Sequence, residues 1–159
     1  MADQVRATVI TVSDRCANGV REDRSGPEAA RRLTEAGYAV EVQVVPDGAD
    51  NVADAITAAV GSGAQLVLTS GGTGVGPRDL TPEGTSRVLE KVLPGVAEAI
   101  RRRDEATVPT SALGRGVAGT CGSAFVVNAP GSVGGVVAAV EVVLPLVAHV
   151  LSQLDGGDH

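Results

Sequence analysis

Strand-like and helix-like patterns take turns along the first half of this chain, and that alternation limits the fold more than any other feature. Residues 5–12, VRATVITV, are a β-branched run of the kind used by a buried strand. Residues 38–45, YAVEVQVV, and 64–69, AQLVLT, supply two more strands, the last one short and apolar. Helix patterns lie between and after them. Ser25-Gly26-Pro27-Glu28 has the spacing of a capping box with proline suited to a first turn, and Gly37 is placed to stop that helix. Residues 51–60 put Val52, Ile56 and Val60 on one stripe, and Thr81-Pro82-Glu83 opens a third helix expected to run to Val92. Such an order predicts an α/β domain with a mainly parallel sheet covered by helices on both faces.

Past Pro94 the rhythm changes. Residues 95–106 read as a short charged helix, and residues 116–130 as two strands joined by Gly122-Ser123. The last segment, 133–154, repeats apolar residues at helical spacing, with Pro145 a place for a bend. So apolar a helix is either sandwiched in a core or covered by another subunit. Glu141, Pro145 and His149 within it argue against a membrane span. Arg6, Thr11 and Ser13 break the N-terminal apolar run, so no signal peptide is expected, and Cys16 and Cys121 are expected to be free thiols in the cytoplasm. At 159 residues the chain is expected to form one domain over 1–159, with 155–159 a flexible tail.

The chemistry should concentrate in residues 69–84, TSGGTGVGPRDLTPEG, which hold five glycines. They follow a predicted strand and precede a predicted helix, the place where open parallel sheets bind ligands. Glycines let backbone N–H groups approach an anion, and a helix N-terminus adds a favourable dipole. The loop is therefore shaped to cradle phosphate, or else it is a plain tight turn. Known phosphate motifs fit badly: Gly71 and Gly76 have P-loop spacing, but Pro77-Arg78 stands where Lys-Ser/Thr is required. A net charge of −6 and only two aromatic residues, Tyr38 and Phe125, argue against a nucleic-acid binder.

Asp79, beside Arg78 in an anion loop, calls for a cation, and magnesium commonly takes one or two carboxylates plus substrate phosphates. Asp47 in VVPDG also follows a strand, although on local grounds a turn residue between Pro46 and Gly48 is the simpler reading. Ser13-Asp14-Arg15 follows the first strand in the same way. Three strand ends each followed by an aspartate point to one edge of the sheet.

Together, TVSDRCANGVREDRSG, VVPDG, LVLTSGGTGVGPRDLTPEGT and VVNAPGS resemble the molybdopterin adenylyltransferases, in the correct order and over nearly the whole chain. The resemblance implies a three-layer α/β/α sandwich, a homotrimer, and the joining of ATP to molybdopterin with release of pyrophosphate. It implies that Asp47 and Asp79 serve catalysis and bind Mg2+. It places Ser70, Gly71, Gly72, Thr73 and Gly74 in the phosphate and pterin loop, with Arg78 orienting charge beside it. Ser13 and Asp14 match the first strand-end motif, and Asn128, Pro130 and Gly131 the last. A downstream molybdenum insertion protein is the implied partner. Gly114 and Val133 depart from residues common in the family, which leaves room for a pterin-binding member without catalysis.

Overall fold

The computed structural model describes residues 3–158. Six strands form one sheet in the order β2-β1-β3-β6-β5-β4. They are β1 (Arg6–Val12), β2 (Ala39–Val45), β3 (Leu66–Ser70), β4 (Lys91–Val92), β5 (Ala118–Cys121) and β6 (Ala124–Ala129). β2, β1, β3 and β6 run parallel, whereas β5 is antiparallel to both β6 and β4. Helices α1 (Asp14–Ala17), α2 (Ser25–Glu35), α3 (Ala49–Gly61), α4 (Thr81–Val88), α5 (Pro94–Arg103) and α6 (Val133–Leu154) connect and cover them.

Strand alternation sorts the core into two layers. Ala7, Val9, Leu66, Leu68, Phe125 and Val127 turn to one face, where Leu33 of α2, Ile100 of α5 and Val136, Val140 and Val143 of α6 bury them. Ile10, Val12, Val67 and Val126 turn to the other, against Val52, Ile56 and Ala59 of α3. This is the three-layer sandwich the sequence implies. By length and composition alone α6 is apolar enough to cross a membrane. In the fold it is a core helix on one side and carries Glu141 paired with Arg103 on another.

Two local expectations change. Ser25 does not cap α2; it lies inside the helix and shares a hydrogen bond with Ser70. Asp23 caps instead, accepting from the Gly26 amide at 3.1 Å and from the Thr11 hydroxyl at 2.9 Å. A carboxylate suits a helix N-terminus at least as well as a hydroxyl does. Glu28 turns to Arg31 and Arg32 rather than back to the cap. Helix α4 stops at Val88 instead of Val92, because Lys91 and Val92 pair with Thr120 and Gly119 of β5. Pro94 favours that outcome by biasing the residue before it toward an extended conformation. The tail begins as a helix cap: the Gly156 amide bonds to Gln153 O and the Gly157 amide to Ser152 O, with Gly156 at φ 85°. His159 lies outside the described residues.

The chain places β2 on one side of β1 and β3 on the other, so the loops leaving β1 and β3 diverge at a switch point. Ligands bind at that crevice in open α/β sheets.

Candidate active site

At the carboxyl ends of β1, β2, β3 and β6 lies a cleft of about 820 Å3. Of the residues singled out in the sequence, Ser13, Asp47, Ser70, Gly71, Gly72, Asp79 and Gly131 line it. Thr73, Gly74 and Pro130 face a second concavity of about 400 Å3. The glycine loop therefore forms the wall between two depressions rather than the floor of one.

Buried anchors fix the loop's shape. Thr81, at the start of α4, donates its hydroxyl to Gly71 O at 2.8 Å and its amide to Gly72 O at 3.1 Å. The Gly71 amide is spent on Ala129 O at 3.2 Å. Gly71 and Gly72 have φ of 101° and 68°, a region that disfavours any side chain. Among the described residues the amides of Gly72, Thr73 and Gly74 have no acceptor, so they remain available to an anion. Gly131 packs against the loop, a Cβ there falling 3.1 Å from the Gly71 Cα, and it leads into the N-terminus of α6.

Asp47 is locked to the end of β1. Its Oδ2 accepts the Asp14 amide at 2.9 Å, and its own amide donates to Asp14 Oδ1 at 3.1 Å. Arg78 completes the lock, donating to both Asp14 carboxylate oxygens at 3.0 Å and to Asp47 O at 3.1 Å. The Arg78 guanidinium holds the Asp14 carboxyl below the usual carboxylate range. Burial pushes the Asp47 carboxyl up, and the charges of Asp14 and Asp79 add to that against the Asp14 amide bond. Asp79 turns back over its own loop, accepting the Gly76 amide at 2.8 Å. Neither Asp47 Oδ1 nor Asp79 Oδ1 has a hydrogen-bond partner among the described residues.

A family described as "Probable molybdopterin binding domain" matches residues 8–149. The chain belongs to this family. It is 38% identical over 156 residues to a "Molybdenum cofactor biosynthesis bifunctional protein" of Synechococcus elongatus, covering 98% of this chain and 49% of that one. This chain thus spans about half the length of that relative. It is also 38% identical over 150 residues to a "Molybdopterin adenylyltransferase" of Pyrococcus furiosus, covering 91% and 88% of the two chains. The solved molybdopterin biosynthesis Mog protein of Mycobacterium ulcerans superposes with a TM-score of 0.89 at 45% identity, covering 94% of this chain and 99% of that one.

Two residues expected to contact substrate make protein contacts in this structure. Arg78 does not line the cleft; its largely exposed side chain pairs with Asp14 and with Asp47 O rather than with Asp79. Asn128 is buried, donating to Thr69 and Thr85 hydroxyls at 2.9 Å each and accepting the Val117 amide at 3.0 Å. Its side chain ties β6 to β3, α4 and the start of β5 beneath the loop. Arg21, Asp23 and Arg24 line the cleft without having been singled out. They belong to the charged run REDR inside the quoted stretch TVSDRCANGVREDRSG, directly before a helix start.

Proposed function

We propose that this chain transfers the adenylyl group of ATP to molybdopterin. An oxygen of the pterin's terminal phosphate bonds to the α-phosphorus of ATP, the bond from that phosphorus to its bridging oxygen breaks, and pyrophosphate leaves with the electron pair. The observation that carries this reading is the convergence of Asp47 and Asp79 on one cleft beside unpartnered loop amides. Nucleotidyl transfer needs positioning and charge neutralisation more than a protein nucleophile.

The two carboxylates fit Mg2+. Each keeps one oxygen without a hydrogen-bond partner, and hard oxygen donors suit that ion. With two protein carboxylates, the ion's remaining ligands would be substrate phosphate and water. When bound, magnesium would offset negative charge on the reacting phosphates. The amides of Gly72, Thr73 and Gly74 would orient phosphate oxygens, and Asp14 and Arg78 would hold Asp47 in place. Ser13 spends its hydroxyl on the Cys16 amide, so its contribution would be to set the turn that presents Asp14.

Incubation with molybdopterin, ATP and Mg2+ tests the reading, with adenylylated molybdopterin and pyrophosphate as the expected products. Tight molybdopterin binding with neither product would replace it with a non-catalytic carrier role. The same reading makes the protein a cytoplasmic homotrimer that passes its product to a molybdenum insertion protein. Val92, Leu113, Val133 and Leu146 are large apolar side chains left exposed in the second half of the chain, and association would bury them. Sedimentation equilibrium at micromolar concentration is expected to give three times 15.9 kDa; a constant monomer mass would remove the trimer.

A further inference from the structure

We propose that Arg115 is the positioning residue for Asp79, closing from outside the cleft the loop that carries this carboxylate. The inference rests on the reading of Asp79 as a working carboxylate, but its geometry is independent of the reaction. Arg115 donates from Nε to Gly74 O at 2.8 Å and from Nη2 to Asp79 O at 2.7 Å. Its Nη1 reaches Glu83 Oε1, in the first turn of α4, at 2.5 Å. Its own amide donates to Thr73 O at 2.9 Å. One guanidinium therefore joins the middle of the loop, its end and the helix that follows.

Inside that closure the Asp79 carboxylate lies over the turn. A Cβ at Gly74 or Gly76 would come 2.9 or 2.8 Å from Asp79 Oδ2, so both glycines make room for it. Arg115 is in turn held from behind, because Arg101 Nη1 donates to Gly116 O at 3.0 Å and Gly114 O at 3.4 Å. Its pairing with Glu83 alone would carry little weight, since both side chains are partly exposed. The two carbonyl contacts decide the matter. A planar fork spans two carbonyls and a carboxylate at fixed angles, and an ammonium does not. Arginine rather than positive charge is what the loop requires.

The Gly76 amide reports the Asp79 position directly, through the bond it makes to Oδ2. Its proton resonance should shift in Asp79→Asn, which sets the reference for a lost carboxylate contact. Arg115→Ala and Arg115→Lys are both expected to move that resonance in the same direction. Glu83→Gln, which keeps an acceptor, should leave it in place. Turnover in the two Arg115 variants should fall by about ten-fold or more, the scale on which supporting partners act, with KM for ATP changed by less than about three-fold.

An unmoved Gly76 resonance in Arg115→Ala would overturn the proposal. So would full rescue of resonance and turnover by lysine, which would make Arg115 a source of charge. A raised pterin KM with unchanged kcat would overturn it too, by making Arg115 a substrate contact. If the wild-type protein forms no adenylylated product, the reaction fails as a reading, while the Gly76 shifts still decide the positioning role.

Discussion

Asp47→Asn is expected to lose turnover by at least about 100-fold, beyond the 10–100-fold typical of partners that merely support a metal ligand, while melting no lower than the wild-type protein. Asparagine keeps the shape and can still accept the Asp14 amide, so the lock between β1 and β2 survives. What disappears is the negative charge at Oδ1. The stability half follows from linkage. Burial raises the folded-state pKa of Asp47. The stability this group contributes is therefore fully present below its unfolded pKa and is lost as pH rises through the raised folded value. Asparagine mimics the neutral form and retains that contribution at every pH. Thermal melts below the ordinary value of 3.8 and at pH 8 should thus show the variant gaining on wild type at the higher pH. Near-normal turnover would remove Asp47 from catalysis. A variant that melts lower, and most so at pH 8, would contradict the burial account.

Much of this was legible from residue patterns because the determinants are local. The β-branched run at β1, the short apolar run at β3, the stripe on α3 and the Gly122-Ser123 hairpin turn all appear where expected. Three strand ends followed by aspartate lie together because parallel strands must present their carboxyl ends on one edge. Pairings between distant segments were not legible. Asp14 lies 64 positions from Arg78, and Arg115 lies 36 from Asp79. No spacing in the sequence announces either contact. Adjacency suggested instead that Arg78 would serve phosphate or Asp79. The cap of α2 failed for a related reason. Ser25 satisfies the local capping pattern, but the fold sets it against Ser70, and Asp23 takes over. Asn128 has the same lesson: a residue in a recognisable motif can act through three buried hydrogen bonds beneath the site.

Gly72→Ala is expected to lower stability by roughly 2–5 kcal/mol, combining about 1–2 for a side chain in the left-handed region with about 1–3 for overpacking. At this chain length that corresponds to a fall in Tm on the order of 10 °C. Gly72 has φ 68°, and a Cβ there would overlap Thr81 Oγ1 and sit 3.2 Å from Thr81 Cβ and 3.3 Å from Asp47 Oδ1. Thr81 cannot retreat, because it is fully buried and its hydroxyl and amide both hold the glycine loop. Relief must therefore come from the loop or from Asp47, and either movement disturbs the site. Turnover in any folded Gly72→Ala protein should drop along with stability. Gly134→Ala provides the contrast. That glycine lies in the first turn of α6 with no positive φ, and a methyl group added there would meet nothing within 4 Å. There the same change should stabilise by about 0.4–1 kcal/mol, chiefly by restricting the unfolded chain. Calorimetry on the pair separates the two causes: if both substitutions shifted Tm equally, glycine content alone would be responsible. A Gly72→Ala protein that melted and turned over like wild type would mean that the loop does not depend on close approach at this position.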